Sequence, residues 1–436
     1  MNPATANNIS KPPAHTRVII IGGGVVGVSA AVLLAERGIP VVLFEKGCIA
    51  GEQSSRNWGW IRRQGRDMAE LPLMNESLAL WKRFAAEVDT DIGFKNGGIS
   101  YLAETEKEME SHRSWLSDAQ QLVPDSRLLN SQQTNTLAGR SDKHFVGGLY
   151  TPGDCFAEPT LAVPALARLA QSKGAQLFEN QAVRGFLRQA GRVIGVVTES
   201  GTVKCDSVIL AGGIWSRVML ENEGLSFAQL AVRSSVLRTS PVPPIASCTL
   251  GATAAALRPR ADGGYTIART SASRFDMIPA AISHLPAFFP MLRKEWPNVK
   301  IHAGKAFFGP LGRQRWQLDQ QSPFEQVRTM DPAPDTKRLS EIMQSAKSLF
   351  PAISKAKVME CWAGMIDFTP DEIAVVSPVP SVGGLVLASG MSGHGFGFGP
   401  GAGLLAAQLA IDETPVVDTQ PLALSRLKPS TTASAA

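Results

Sequence analysis

Residues 17–45, RVIIIGGGVVGVSAAVLLAERGIPVVLFE, constrain the fold more than any other stretch of this chain. A β-branched run at 18–21 is followed by Gly22, Gly24 and Gly27 at G-x-G-x-x-G spacing, then by an apolar helical segment to about Arg37. Gly38 ends that helix, Pro40 prevents its resumption, and residues 41–44 form a second strand closed by Glu45, 18 residues after Gly27. Gly22 makes the tight turn, Gly24 lets backbone approach a pyrophosphate, and Gly27 lets helix and strand pack closely. The positive end of the helix faces the phosphates, and the Glu45 carboxylate accepts hydrogen bonds from a ribose. Strand, helix and acidic residue in register point to a dinucleotide rather than to a bare structural turn.

Composition narrows the field. A chain of 436 residues, 44% hydrophobic and 19% charged, is an ordinary globular protein with room for two or three domains. Its net charge of +5 comes without any dense Lys/Arg block, which argues against a nucleic-acid partner. Cys48, Cys155, Cys205, Cys248 and Cys361 are scattered, with no C-x-x-C pair. That pattern speaks against a disulfide framework and a zinc site, and no metal is expected. Residues 1–16 are polar, lack the apolar core of a secretory signal and are expected to be disordered. Residues 18–35 are apolar enough to be scored as a membrane span. Their glycines and strand–turn–helix grammar assign them instead to a buried Rossmann unit. The expected location is cytoplasmic, with peripheral attachment to the inner membrane as the alternative.

Along the chain, KGCIAGEQSSRNWGWIRRQGRD (residues 46–67) is a long Gly-, Ser- and Arg-rich segment of the kind that carries function. Residues 70–88 have helical spacing of apolar residues and read as a surface helix. Strand-like runs at 182–187, 193–199 and 207–210 follow, the last ending in Ala211, Gly212, Gly213 and then Trp215. This second small-residue turn at a strand end suggests another backbone approach to the same ligand. Between about 229 and 345 the chain gains Pro, Arg and alternating strands, which defines a second domain. The fold class expected is α/β: a Rossmann-type FAD-binding domain (17–228 and 346–411) interleaved with an α+β substrate domain (229–345) built on an antiparallel sheet. Segments around 94–150 are expected to join the substrate domain, and 412–436 to form a tail. Residues 280–292, AAISHLPAFFPML, read as core, with a lid-like or membrane-facing patch as the alternative.

Three groups of residues carry a family resemblance: the opening fingerprint, Ala211-Gly212-Gly213 with Trp215-Ser216, and Ser392-Gly393-His394-Gly395 before a helix. Together they resemble the FAD-dependent D-amino acid oxidase (DAO) superfamily, which includes glycine and sarcosine oxidases. A closer similarity is to bacterial membrane-associated L-amino acid deaminases, through Lys46-Gly47, Ile49 to Arg56, and Ser322-Pro323-Phe324-Glu325-Gln326 with Arg328 and Met330. The resemblance spans residue 17 to about 410. It implies non-covalent FAD and oxidation of an amine carbon. In it Glu45 binds the adenosine ribose, Val183 meets the adenine side through its backbone, and Ala211, Gly212 and Trp215 approach the same nucleotide. The loop with Lys46, Gln53, Ser54, Ser55, Arg56 and Gly59 lines the pyrophosphate and flavin, beside Val26 on the first helix. Backbone N–H groups at Gly393, Gly395, Phe396 and Gly397 would face the flavin edge where negative charge collects on reduction.

The chain also departs from its relatives' pattern. It has no counterpart of the deaminases' N-terminal anchor, and His394 stands where they place a tryptophan over the substrate. Trp362-Ala363-Gly364-Met365-Ile366-Asp367 lacks the arginine that holds the substrate carboxylate in glycine and D-amino acid oxidases. Arg269 and Arg233 are the candidates for that role, since a guanidinium suits a carboxylate. Trp60 and Phe396 are expected as aromatic walls. The basic cluster Arg56, Arg62, Arg63 and Arg66 could greet a second carboxylate, with phosphate contacts or a solvated loop as the plainer reading. Cys361 lies three positions from where sarcosine oxidases attach flavin, so no covalent link is expected. The function read here is FAD-dependent oxidative deamination of an amino acid, the imine hydrolysing to keto acid and ammonia, with oxygen or a quinone as electron acceptor. Oxidation of N-substituted amino acids (opines, sarcosine, imino acids) is the alternative within the class. A non-catalytic flavin-binding redox sensor is the alternative outside it, and an NAD-dependent dehydrogenase is disfavoured by the extra glycine turns.

Overall fold

The computed structural model describes residues 11–140, 142, 144–269, 273–295, 299–312 and 314–427. Residues 1–10 of the expected disordered N-terminus lie outside the described residues, and the first strand begins at His15. The opening unit folds as its residue types require. Strand His15–Ile21 pairs in parallel with Val41–Phe44, and helix Val25–Glu36 crosses between them. That helix is apolar on every side because it is covered on every side. Gly27 is what lets it sit so close: a Cβ there would lie 2.1 Å from the Gly22 carbonyl oxygen.

Strand Gly201–Leu210 adds in parallel to the free side of His15–Ile21, and Leu385–Ser389 adds beyond it. Gln176–Phe178 extends the other side, and the antiparallel strand Val375–Pro378 closes one edge. The hairpin Val183–Gln189 and Arg192–Thr198 leans on Gly201–Leu210. Such a sheet needs both faces covered, hence the unbroken apolar runs of its strands. The terminal helix Gly395–Ala410 covers one face together with the first helix. Its glycines set the contact distance. A Cβ at Gly399 would strike Val25, one at Gly403 would lie 2.8 Å from the Val26 carbonyl oxygen, and one at Gly401 2.6 Å from that of Leu73 in helix Leu71–Glu87.

The second sheet is largely antiparallel. Leu230–Thr239 pairs along its length with Val358–Phe368 and in part with Tyr265–Ala268 and Ser273–Asp276. Ile99–Ala103, Arg127–Asn130 and Gly147–Thr151 join the same sheet. Helix Thr336–Leu349 lays Leu339, Ile342, Met343 and Ala346 onto that sheet's core. Residues 346–368, expected in the first domain, therefore sit with the second, and the chain returns only after Phe368. The reason is pairing: Val358–Phe368 is the antiparallel partner of Leu230–Thr239, a relation local pattern does not carry. Residues 412–427, expected as a tail, instead turn back onto the first sheet, where Leu422 is buried and Leu424 N–H bonds Ser377 Oγ at 2.9 Å. Among the described residues no helix is long and apolar enough to cross a membrane.

One ion pair ties the two sheets together. Arg258 in Ala256–Pro259 meets Glu158, at the start of helix Pro159–Ser172, through two N–H···O bonds of 2.9 Å, with both side chains almost fully buried. Burial pushes the Glu158 carboxyl upward, but Arg258, with Arg260 at 3.3 Å, holds it below its ordinary range. Removing one member strands the other charge in the interior. Glu158→Ala is thus expected to cost about 3–5 kcal/mol in denaturant unfolding. The pair's contribution is present above about pH 4.3 and lost as pH falls through the depressed folded value, so the wild-type advantage should shrink in acid.

Candidate active site

The two sheets meet over a cavity of about 680 Å³. Its floor is made by three glycine turns that the sequence singles out separately: Gly22 and Gly24, Gly212 and Gly213, and Gly393 to Gly397. Two helices point their N-termini into it. Gly24, which has no side chain, and His394, whose ring does not bond the first turn, are their N-caps. Ser54 Oγ takes the Val25 N–H at 2.9 Å, but the following N–H groups stay available, and with the helix dipoles they favour an anion or a developing negative charge.

The nucleotide end is held by a compact set of bonds. Glu45 accepts N–H from Gly23 at 2.7 Å and from Gly47 at 2.8 Å, so its carboxylate clamps the glycine turn. Burial pushes its carboxyl above the ordinary range and those two N–H groups pull it back. Lys46 bonds Glu52 at 2.6 Å and stacks over Trp215 at 4.5 Å, while the Trp215 indole N–H donates to Glu52. Segment 322–330 closes this corner from outside. Met330 N–H donates to Glu52, Lys46 donates to the Val327 and Arg328 carbonyls, and Arg328 pairs with Glu199. Gln53 bonds Asp367 Oδ1 at 2.8 Å, and Asp367 Oδ2 accepts from Gln229 and from the Gly390 N–H. Asp367 thus pins the Gln53 loop and the terminal glycine turn to the second sheet.

A model of the DAO family, described as FAD dependent oxidoreductase, matches residues 17–409. The chain belongs to that family. Among solved structures, L-amino acid deaminase from Proteus myxofaciens, in complex with anthranilate, superposes with a TM-score of 0.90 at 29% identity, covering 96% of this chain and 95% of that one. Sarcosine oxidase subunit beta from Arthrobacter sp is 26% identical over 96% of this chain and 92% of its own length. 4-Methylaminobutanoate oxidase (formaldehyde-forming) from Paenarthrobacter nicotinovorans is 25% identical over 97% of this chain, which spans 47% of that protein. The cradle suits the family's cofactor. A Cβ at Gly22 would lie 2.4 Å from the Ala211 carbonyl oxygen and one at Gly24 3.0 Å from Ser54 Oγ, so any side chain would occupy space needed at the turn.

Of the residues singled out in the sequence, Gly22, Gly24, Val26, Glu45, Lys46, Gln53, Ser54, Arg56, Val183, Ala211, Gly212, Trp215, Gly393, Gly395, Phe396, Gly397, Trp60 and His394 all line this one cavity. Gly27, Ser55 and Gly59 do not. Gly27 serves helix–strand contact, and Gly59, at φ +81°, makes room for the Ala157 carbonyl and Arg258. Arg233 and Arg269 are also absent from the lining. In Leu230–Thr239 it is Val232, Ser234 and Val236 that face the cavity, so the period of two turns Arg233 to the other face. Arg269 follows strand Tyr265–Ala268, away from the lining.

The arginines that do reach the cavity come from the basic cluster. Arg63 is taken by Asp154 at 2.9 Å and Asp125 at 2.8 Å behind the wall, and Arg56 by Asp331 and the Ala363 carbonyl. Arg62 and Arg66 line the cavity. Arg62 lies over the Tyr101 ring at 5.6 Å and donates to the Gln64 carbonyl. Arg66 is only 3% exposed, and one guanidinium nitrogen has no hydrogen-bond partner among the described residues. Burial, with Arg62 nearby, pulls its proton affinity down to about 9, a state that an anion in the cavity would relieve. Trp58, Trp60 and Tyr101 stand beside them at ring separations of 5.5 and 6.2 Å. Sequence reading passed over Trp58, Tyr101, Glu70 and Asp367, for which nothing local marks a role.

The opposite wall is apolar. Residues 280–292 fold as helices Pro279–Ser283 and Leu285–Glu295, and Ala281, Ile282, Leu285, Phe288, Met291 and Leu292 line the cavity. Phe289 on the outer side is 60% exposed. The stretch is therefore a cavity wall with an open back rather than closed core. No cysteine among the described residues lines the cavity, and Cys361 packs with the second sheet's core instead.

Proposed function

We propose that this DAO-family protein oxidises the amine-bearing carbon of an amino acid, with FAD held non-covalently on the three glycine turns. One observation carries the reading: a buried guanidinium, Arg66, with a nitrogen that has no hydrogen-bond partner among the described residues, lines the same cavity as the nucleotide cradle and is backed by Arg62. Arg66 and Arg62 receive the substrate carboxylate, in place of Arg269 and Arg233. Trp60, Trp58 and Tyr101 supply an aromatic wall that restricts the substrate to one plane, and the apolar helices at 279–295 exclude water from its other side. Glu45, Lys46, Gln53, Ser54, Trp215 and the backbone at Gly22–Gly24 and Gly212 hold the nucleotide; the N–H groups from Gly395 onward face the ring system. Bound there, FAD supplies the two-electron acceptor. The residues of the chain orient and desolvate the substrate so that its Cα–H bond faces that acceptor.

The relatives divide between primary amines and N-methyl amines, and so do the readings for this chain. Product analysis separates them. An L-amino acid or glycine used as a primary amine releases ammonia and a keto acid or glyoxylate, whereas an N-methyl substrate oxidised at its methyl group releases formaldehyde. Ammonia release with a panel of free amino acids is the expected result. Formaldehyde release, with no ammonia, would move the N-substituted reading ahead. Electrons then pass to oxygen or to a quinone, and reoxidation rates of the reduced protein with each acceptor distinguish the two.

A further inference from the structure

Behind the arginines lies a carboxylate with two unmade bonds. Glu70, just ahead of helix Leu71–Glu87, has a side chain 1% exposed. Its Oε1 accepts the Ala374 N–H at 3.0 Å. Its Oε2 lies 3.4 Å from His394 Nδ1 and 3.9 Å from an Arg66 terminal nitrogen, and none of those three atoms has a hydrogen-bond partner among the described residues. Glu70 is not part of the cavity lining, whereas His394 and Arg66 are. With Nδ1 turned to Glu70, the opposite ring edge of His394, carrying Nε2, is left on the cavity side.

We propose that His394, positioned by Glu70, removes the proton from the substrate ammonium before its carbon is oxidised. This rests on the amine-oxidation reading above. A free amino acid arrives at neutral pH as an ammonium ion, and a positively charged nitrogen opposes loss of the neighbouring C–H electron pair. In the step proposed, one substrate N–H bond breaks, its electron pair stays on nitrogen, and the proton forms a new N–H bond on His394 Nε2. No electron changes hands. Glu70 holds the imidazole by the Nδ1–H and stabilises the imidazolium, the geometry a carboxylate–histidine couple uses elsewhere for base catalysis. Catalytic hydrogen bonds of this kind tighten when a substrate completes the site. The charged groups acting on Glu70 are Arg66, Asp67 and Arg62; Asp154 and Tyr101 act in turn on Arg66, and Glu372 lines the same cavity as His394. Burial pushes the Glu70 carboxyl upward while Arg66 draws it down, which keeps the couple able to take up one proton as a unit.

The test is the pH profile of the limiting rate of anaerobic flavin bleaching, with selective 15N-histidine spectra of the same holoproteins. Wild type should be nearly flat above neutrality. His394→Asn should be slower by about a hundredfold or more at neutral pH and should climb about tenfold per pH unit toward the amine's own pKa. Glu70→Gln removes a negative charge beside the ring, so the His394 titration midpoint should fall and the acid limb move to lower pH. A merely structural role would let the His394 midpoint move with the lost charge while the rate profile kept its wild-type shape and position. Should His394→Asn come out colourless, Glu70→Gln carries the test alone. A Glu70→Gln protein whose acid limb stays in place while its His394 midpoint moves, or a His394→Asn protein with the wild-type profile, overturns the proposal. If no amine bleaches even the wild type, it is the underlying reading that has failed.

Discussion

Arg66→Met should weaken substrate and carboxylate-inhibitor binding by about ten- to a hundredfold while leaving the protein yellow. The guanidinium is buried, and the nitrogen nearest Glu70, 3.9 Å from its carboxylate, has no hydrogen-bond partner among the described residues. A charge-assisted hydrogen bond in such a place contributes about 1.5–3 kcal/mol, which converts to that range of affinity. Arg66→Lys should recover little, because an ammonium on a flexible stem does not reproduce a planar two-point donor. The structural cost is limited by Glu70, whose carboxyl burial already pushes toward the neutral form, so that it can take a proton when its partner is lost. Titrating the bound flavin's visible spectrum with an aromatic carboxylate reads the affinity without turnover. Equal affinity in wild type and Arg66→Met would remove Arg66 from the carboxylate site and leave Arg62 as the candidate, since Arg56 in the same lining is paired with Asp331.

Gly22→Ala should yield a colourless and much less stable protein. Two independent penalties coincide there: the residue sits at φ +113°, and an added Cβ would lie 2.4 Å from the backbone oxygen of Ala211. Backbone strain of this kind costs about 1–3 kcal/mol, and overpacking against backbone about as much again. The turn cannot yield cheaply, because Gly22 N–H bonds the Phe44 carbonyl at 2.8 Å and Ala211 N–H bonds that of Ile21 at 2.9 Å. Any relief by movement displaces the phosphate end of the cradle. Gly38→Ala is the control: φ is +68°, but nothing lies within 4 Å of the added carbon. It should lose some stability and keep its flavin. Melting temperature and flavin-to-protein absorbance ratio decide between the two, and a fully yellow Gly22→Ala would contradict the assignment of this turn.

The contrast between these two glycines and the arginines explains what was legible in the sequence. Gly22, Gly24 and Glu45 declare themselves because their task is local: a tight turn, a helix start and a carboxylate all within one strand–helix–strand unit. The turns at Gly212 and Gly393 are legible for the same reason, each being a small-residue break between an apolar strand and a helix. The side on which Arg233 lies was not legible because strand Leu230–Thr239 mixes polar and apolar residues on both faces, so its alternation does not say which face is covered. The cavity face is fixed by pairing with Val358–Phe368, more than a hundred residues later. Among the four clustered arginines, sequence could not separate Arg63 from Arg66. The sorting is done by Asp154 and Asp125, which neutralise one and not the other. Glu70 reads as the polar start of a surface helix, yet it is buried through contacts with Ala374 and His394, some three hundred positions away. Chemistry that depends on such long-range meetings leaves no local trace.

The proposed function requires one cavity to join a flavin cradle to an amino acid carboxylate site. The most direct measurement is anaerobic mixing of the purified protein with L- and D-amino acids, sarcosine, proline and opines while the flavin's visible absorbance is followed. Rapid bleaching by one structural group, lost in Arg66→Met at low substrate and restored at high substrate, is the predicted result. A yellow protein that dithionite bleaches and no amine does would contradict the claim and leave a flavin-binding protein without amine chemistry.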